Sequence, residues 1–364
     1  MTQDVDRAWL ATRKGLIEQR RRGPRWAVER ASFLGEPVSM VLPPLASGPQ
    51  RGRMLAALNL GHFGVKLHAS DDAGRSWHEA AAPAYPKQPA GAAGPAWKLV
   101  QIWSLEAAGA TLWAGTIPGG LFRSRDGGES WHLVDTLWNR AERAEWFGGG
   151  YDAPGIHSIC PHPARAGELL VGISCGGVWV TRDDAKTWSL QAEGMRAAYM
   201  PPEQSANPNV QDSHAIVRSA VEPDVLWAQH HNGIFRSTDN AAGWHEITTA
   251  PLASFGFAVA TDPNHAGTAW FVPGVADERR VPVDAALAVN RTRDGAASFE
   301  TLRTGLPQTE CYDLVYRHGL AVDASGRGLL MGSTTGNCWA STDAGESWEE
   351  LAGHLPPIYA ARFG

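Results

Sequence analysis

The sequence predicts an all-β, seven-bladed β-propeller of four-stranded antiparallel blades, and three observations predict it. A turn motif recurs six times at near-constant spacing, short apolar runs of strand length flank it, and the 40 Gly and 24 Pro are spread along all 364 residues. A repeat period near fifty residues is typical of propeller blades or solenoid units. The chain is longer than one ordinary hydrophobic core supports, so a closed architecture built from repeats accounts for its length.

The turn motif is clearest at residues 124–131, which read Ser-Arg-Asp-Gly-Gly-Glu-Ser-Trp. A Ser or Thr and an Asp two positions later can hydrogen-bond backbone groups inside such a loop, Gly supplies a positive φ, and the aromatic residue packs back into the blade. Three copies match fully, and those closing at Trp188, Trp244 and Phe299 lose the Gly or the aromatic residue. The copies are residues 70–77, 124–131, 181–188, 237–244, 292–299 and 341–348, with closing aromatics 54, 57, 56, 55 and 49 residues apart.

This pattern resembles the Asp-box, or BNR repeat, of the sialidase-like propellers, and the resemblance covers nearly the whole chain. It implies the propeller fold and says little about chemistry, because the same box occurs in glycosidases, sorting receptors and assembly factors. Sialidases also carry an Arg-Ile-Pro motif near the start of the catalytic domain. Residues 11–16 of this chain read Ala-Thr-Arg-Lys-Gly-Leu, so the sialidase catalytic residues are not transferred to it.

The N-terminal residues predict a seventh blade without a proper box. Trp26 lies 51 residues before Trp77, and residues 8–12, 15–17 and 26–28 occupy the places of three strands. The missing innermost strand is supplied by residues 358–363, which closes the ring and leaves no open edge. We therefore expect one domain over residues 1–364, with blades centred on the turns before Trp26, Trp77, Trp131, Trp188, Trp244, Phe299 and Trp348.

Composition and charge exclude several classes of protein. The formal net charge is -6, from 32 basic and 38 acidic residues, which argues against a nucleic-acid partner. The polar N-terminus lacks the apolar segment of a secretory signal, and no run is long enough to span a membrane, so no membrane partner is expected. The four scattered cysteines have the pattern of reduced thiols, which indicates a cytoplasmic protein.

Loop lengths indicate which end of the blades carries the site. The box lies between the third and fourth strands, so the opposite end carries the second-to-third loops and the connections between blades. Long excursions concentrate at that end, over residues 79–98, 135–155, 191–213 and 273–285. Loops longer than about 12–15 residues in a compact domain are usually functional or disordered. We expect a small-molecule, glycan or peptide site at this loop-rich mouth of the central channel.

Histidine is the polar residue type that stands out on these loops. Three or four neutral imidazoles can bind Zn, Mn, Fe or Cu, so the pattern predicts one divalent transition metal. No local spacing such as His-Glu-x-x-His imposes proximity, and a lone loop histidine is more often a hydrogen-bonded structural residue. The candidate metal ligands are His62, His157, His214, His230 and His231.

Other side chains at the same end are candidates for catalysis or ligand binding. Two carboxylates at the right separation suit glycoside hydrolysis, and aromatic rings can stack on sugars or pin the long loops. The catalytic candidates are His157, His214, Asp152, Asp212, Glu310 and Arg317. The ligand-binding candidates are His62, Phe63, Trp103, Trp146, Tyr151, Phe255, Tyr312 and Arg279.

These observations favour a propeller that binds a small polar ligand at the channel mouth, as a metal-dependent hydrolase or lyase whose histidines are metal ligands or general bases. One alternative is a non-catalytic interaction or assembly scaffold, which requires a protein partner. Another is a glycoside hydrolase that uses paired carboxylates on a glycan.

Overall fold

The structure is a computed structural model that describes residues 6–23, 25–46, 48, 50–91, 94–149 and 151–364. The expectations for residues 1–5 and for Gly150 in the loop 135–155 lie outside the described residues. The strands of the first half are β1 (Arg7–Thr12), β2 (Gly15–Arg22), β3 (Arg25–Ser32), β4 (Val38–Leu42), β5 (Met54–Asn59), β6 (Val65–Ser70), β7 (His78–Ala80), β8 (Gln101–Ala108), β9 (Thr111–Ile117), β10 (Leu121–Ser124), β11 (His132–Leu133), β12 (Ile156–Pro161), β13 (Leu169–Ile173), β14 (Gly177–Thr181) and β15 (Ser189–Leu190). Those of the second half are β16 (Ser213–Arg218), β17 (Leu226–His230), β18 (Gly233–Ser237), β19 (His245–Ile247), β20 (Gly256–Thr261), β21 (Ala269–Pro273), β22 (Val289–Thr292), β23 (Glu300–Leu302), β24 (Leu320–Val322), β25 (Leu329–Gly332), β26 (Cys338–Ser341), β27 (Glu349–Ala352) and β28 (Ile358–Phe363).

The described strands form seven four-stranded antiparallel sheets. Six sheets are meanders of four consecutive strands, and the seventh has the order β28-β1-β2-β3. In that sheet Leu10 of β1 faces Ala361 of β28, so the C-terminal strand covers the edge of β1 that would otherwise be open. The predicted all-β class, the seven blades and the closure by residues 358–363 are confirmed.

The chain divides into two compact units. One contains Met1–Gly35 and His214–Gly364, and the other contains Glu36–Ser213. The first unit holds the sheets β28-β1-β2-β3, β16–β19, β20–β23 and β24–β27, and the second holds β4–β7, β8–β11 and β12–β15. That residues 1–364 form a single domain stays a prediction.

The box turns close on themselves through their Ser and Asp side chains. In the copy at 124–131, Ser124 Oγ donates to Asp126 Oδ1 at 2.7 Å and accepts from Gly128 N at 2.8 Å. Ser130 donates to the same carboxylate from its N–H, at 3.0 Å, and from its hydroxyl. The fifth position of every copy has positive φ, including the three copies with alanine there. The turn's polar groups are therefore used inside the turn.

Arginines join successive blades through these boxes. In four of the six boxes, the carbonyl oxygen at the fourth position accepts a hydrogen bond from an arginine of the preceding blade. Three of these arginines come directly before the residue that opens their own box. We call the set the inter-blade arginines: Arg53 to Gly127 O at 3.1 Å, Arg123 to Asp184 O at 3.3 Å, Arg236 to Gly295 O at 3.2 Å and Arg291 to Ala344 O at 2.7 Å.

Buried tryptophans explain much of the tryptophan excess. Trp9, Trp179, Trp227, Trp270 and Trp339 are at most 2 % exposed. The Nε1 groups of Trp227 and Trp270 donate to backbone carbonyls of Ala266 and Ala344, each in the following sheet. Their rings bury large apolar area while the single polar atom stays hydrogen-bonded, so they hold neighbouring sheets together.

Short helices occur in the loops at the end of the blades opposite the boxes. The loop 135–155 contains the helix α1 (Asp135–Trp138) and a 3-10 helix, Ala141–Glu145. Further 3-10 helices are Gly61–Phe63, Pro208–Val210 and Val283–Ala285. None of the helices among the described residues has the length and apolar character needed to cross a membrane.

Candidate functional site

Two of the predicted histidines meet at the sheet β16–β19. His214 is the second residue of β16, and His231 follows β17 in the turn that leads to β18. Their ring centroids are 5.3 Å apart, with the planes at 75°. In an antiparallel meander this turn lies at the end of the sheet opposite the box 237–244, so the pair occupies the predicted end of its blade.

Backbone and ring contacts orient His214. Its side chain is 2 % exposed, and its ring stacks on Phe257 with centroids 4.4 Å apart and planes at 13°. Nδ1 lies 2.7 Å from Gly256 O. A carbonyl oxygen can only accept, so Nδ1 carries the hydrogen, and in the neutral ring the lone pair is on Nε2. A second hydrogen bond that fixes the tautomer in this way is typical of metal-binding histidines.

His214 and His231 form a group with metal-ligand spacing. One ring nitrogen of each lies within 4.8 Å of the other. Imidazole nitrogens suit Zn and other first-row transition metals. Asp212 lies two residues before His214 in the sequence and belongs to the other unit.

Asp212 is held in a buried, narrow place within its own unit. It is 3 % exposed, and Oδ1 accepts from Cys175 N at 3.3 Å. A Cβ at Gly149 would lie 2.9 Å from Oδ2, so only glycine lets the loop 135–155 approach so closely. Burial raises the pKa of Tyr199, and the neighbouring Cys175 and Asp212 raise it further. A buried carboxylate of this kind needs strong partners to remain charged.

The other three candidate metal ligands lie apart from this group. His230 is buried and its Nδ1 accepts from Asn232 N at 3.1 Å, which leaves the hydrogen of the neutral ring on Nε2. His157 is buried at a β-bulge, with Nδ1 2.8 Å from Ser158 Oγ. His62 is exposed in the helix Gly61–Phe63. Their roles as ligands stay predictions.

The aromatic candidates fall into two groups. Trp103 and Trp146 are nearly buried, and Trp146 Nε1 donates to Asn209 at 2.9 Å, which ties two long loops of one unit together. Tyr151 is 44 % exposed and meets Trp103 edge-on, with ring centroids 5.2 Å apart. Phe63 and Tyr312 are the most exposed of the set. Their predicted ligand contacts stay predictions, and so do those of the exposed Asp152, Arg279 and Glu310.

A ring of aromatic and cationic groups surrounds Phe257, within a single unit. The Phe257 ring meets Phe255 at 5.3 Å and Tyr316 at 5.1 Å, both edge-on. The guanidinium carbons of Arg280 and Arg317 each lie 5.3 Å from its centroid. Of this set the sequence singled out Phe255 and Arg317 as site residues. Phe257 and Tyr316 were missed, although the spacing of Phe255 and Phe257 at the start of an innermost strand was a usable signal.

Comparisons with known proteins agree with this fold. No family model matches the chain. The vacuolar protein sorting/targeting protein 10 of Aspergillus fumigatus is 33% identical over 93 residues, which cover 25% of this chain and 6% of that protein. The chain therefore matches only a small part of the curated relative's length.

Two solved structures resemble the whole chain. The GH74 xyloglucanase from Xanthomonas campestris superposes with a TM-score of 0.65 at 16% identity, over 99% of this chain and 52% of the xyloglucanase. YCF48 bound to D1 peptide superposes with a TM-score of 0.57 at 15% identity, over 93% and 90% of the two chains. Likeness at this identity shows the fold alone. With six boxes in register and seven four-stranded sheets, the chain is a seven-bladed β-propeller of the Asp-box, or BNR-repeat, type.

Proposed function

We propose that the protein binds one divalent transition metal ion through His214 and His231 and acts there on a small polar ligand as a hydrolase or lyase. The observation that carries this proposal is the approach of the two imidazole nitrogens within 4.8 Å of each other. The orientation of His214 by Gly256 O and Phe257 supports it, because an imidazole fixed in this way has little freedom to lose when it binds a metal.

The pair also suits catalysis. A metal ion held by these imidazoles would keep positions open for water or substrate, and it would lower the pKa of a bound water towards neutrality. Phe255 and Phe257 pack against the His214 ring and limit the access of bulk water on that side. This combination suits hydrolysis or elimination at a polar ligand.

The metal content of tag-free protein tests the proposal. We expect about one equivalent of Zn, Mn, Fe or Cu in the wild type, and its loss in His231→Ala. His62→Ala is the matched control, because His62 is also a loop histidine on a second-to-third connection but is not in the group. A wild type with less than about 0.1 equivalent after reconstitution, or equal metal content in the two variants, contradicts the proposal.

The rival functions predict different observations. A non-catalytic scaffold retains a stable protein partner from lysate and loses nothing when His231 is changed. A glycoside hydrolase turns over chromogenic glycosides without metal, and the exposed Tyr151 against Trp103 is the surface that favours a sugar ligand.

We also propose a cytoplasmic location, as the sequence predicts. It is supported by the four free cysteines, all of them buried. Burial raises the pKa of Cys338 to about 12, so this thiol stays protonated at neutral pH. Free thiols persist in reducing compartments. Fractionation of the native cell, with immunodetection of the protein, tests this location.

A further inference from the structure

The surroundings of Phe257 bring two positive charges to the ring on which His214 stacks. Arg280 and Arg317 both lie 5.3 Å from the ring centroid, and the imidazole of His214 lies 4.4 Å from it. Phe257 is 2 % exposed, so the ring cannot move away from these neighbours without opening the core. The guanidinium groups thus lie around the same aromatic ring as the proposed metal ligand.

Arg280 is held in one orientation by three hydrogen bonds. Nε donates to Asp277 O at 3.0 Å, Nη2 donates to Asp277 Oδ1 at 2.5 Å, and Nη1 donates to Tyr316 Oη at 3.4 Å. A guanidinium has five N–H donors. These bonds leave one N–H on each Nη nitrogen. That pair is the donor set which a carboxylate or phosphate takes with two oxygens.

Asp277 orients this arginine without removing the positive character of the cluster. Its carboxylate pairs with Arg280 at an exposed position, where both side chains are more than a third accessible and the interaction is screened. Arg317 adds a second guanidinium on the same ring. Two guanidinium groups therefore lie near one aromatic ring, and one of them is fixed by its hydrogen-bond partners.

We propose that Arg280 and Arg317 bind the oxyanion group, a carboxylate or a phosphate, of the small molecule on which the His214 and His231 site acts. This assignment rests on the proposed function, since it names the chemical class of that site's ligand. Both Arg279 and Arg280 are exposed; Arg279 closes a tight turn with Ala276, whereas Arg280 reaches Phe257.

Calorimetric titration of the metal-loaded protein with inorganic phosphate and, separately, with succinate tests the assignment. We expect wild-type protein to bind at least one of the two, which identifies the anion class. Arg280→Met should weaken binding by roughly 10- to 100-fold, the effect of losing charge-assisted hydrogen bonds. Arg280→Lys keeps the positive charge but loses the paired N–H donors, so its anion affinity should lie between those of the wild type and Arg280→Met. Arg327→Met is the matched control and should bind like the wild type, because Arg327 is an exposed arginine of the same unit that is not among the residues around Phe257.

The outcomes separate this assignment from the metal proposal, because metal content is measured on the same samples. Loss of anion affinity in Arg280→Met with unchanged metal content supports both the anion assignment and the metal proposal. Loss of anion affinity in a protein that holds no metal supports the anion site and contradicts the metal function. Absence of binding to either anion at about 10 mM, or equal losses in the Arg327 and Arg280 variants, overturns the anion assignment.

Discussion

His157 and His214 occupy equivalent places in successive blades, yet their surroundings differ. Each is the second residue of an innermost strand, β12 or β16, and each is at most 2 % exposed. His157 lies edge-on to Trp103 at 5.7 Å, whereas His214 stacks flat on Phe257 at 4.4 Å. Burial at the start of an innermost strand is thus a structural property of the repeat and does not by itself mark a ligand.

The difference lies in the turn that follows the second strand of each blade. In the sheet β12–β15 this turn is residues 174–176 and contains Cys175, whereas in the sheet β16–β19 it begins with His231. Only the second blade therefore adds an imidazole opposite its buried histidine. A single residue in a short turn converts a repeated packing position into a candidate metal centre.

The largest expected effect separates the two histidines directly. His157→Ala and His214→Ala each leave a cavity and break a hydrogen bond, so each should lower the free energy of unfolding by roughly 2–4 kcal/mol. Zinc at a hundred times its Kd should stabilise the wild type by about 2.7 kcal/mol. We expect this increment to persist in His157→Ala and to vanish in His214→Ala, as measured by urea unfolding with and without zinc. An equal stabilisation of the two variants by zinc would show that His157 and His214 do not differ in zinc binding.

A smaller effect should follow from the carbonyl that orients His214. A Cβ at Gly256 would lie 2.6 Å from Val272 O and 3.2 Å from Gln229 Oε1, so the strand must shift. Gly256→Ala should cost about 1–3 kcal/mol and weaken zinc binding, because the shift moves the acceptor of His214 Nδ1. Gly243→Ala is the control, since its nearest neighbour is an exposed Asp239 oxygen at 3.4 Å. Unchanged zinc affinity in Gly256→Ala would show that this orientation is unimportant.

The smallest effect concerns the box in the blade of His157. The hydroxyl of Thr187 donates to Asp183 Oδ2 at 2.6 Å, and this bond, with the Thr187 N–H, lowers the pKa of Asp183 to about 2. Because the folded pKa lies below the unfolded value of about 3.9, the stabilisation is present above pH ~4 and is lost as the pH falls towards 2.

Thr187→Val should raise the pKa of Asp183 and move the acid-unfolding midpoint, followed by circular dichroism, to a slightly higher pH. The same shift with and without zinc is expected, because the box contains no proposed zinc ligand. A midpoint identical to that of the wild type would show that this hydroxyl does not stabilise the turn.

The fold was predictable from the sequence because the turn motif that defines each blade is repeated six times. The Ser and Asp of each box act on backbone groups two to four residues away, so local sequence determines the turn and its spacing determines the blade. The C-terminal strand followed from the need to cover the edge of β1. Even the three alanine-containing boxes keep the same backbone, since tertiary packing holds a positive φ that alanine alone disfavours.

The site was predictable only as a set of candidates. His214 and His231 were among five histidines, and their separation depends on the register of β16 and β17, which no local spacing encodes. Arg279 and Arg280 are neighbours with the same chemistry, and the turn between Ala276 and Arg279 decides which one reaches Phe257. Residues whose roles depend on contacts between strands carry no periodic signal of their own.

The inter-blade arginines bear on how a propeller of this type gains a blade by duplication of one repeat. Arg123, Arg236 and Arg291 each stand directly before their own box, and the carbonyl they bind is the fourth residue of the next box. A tandem duplication of one period therefore copies both the donor and the acceptor. The added blade would already contain the groups that hydrogen-bond to the blade before it and to the blade after it. The loops at the other end of its sheet would then be free to diverge in sequence.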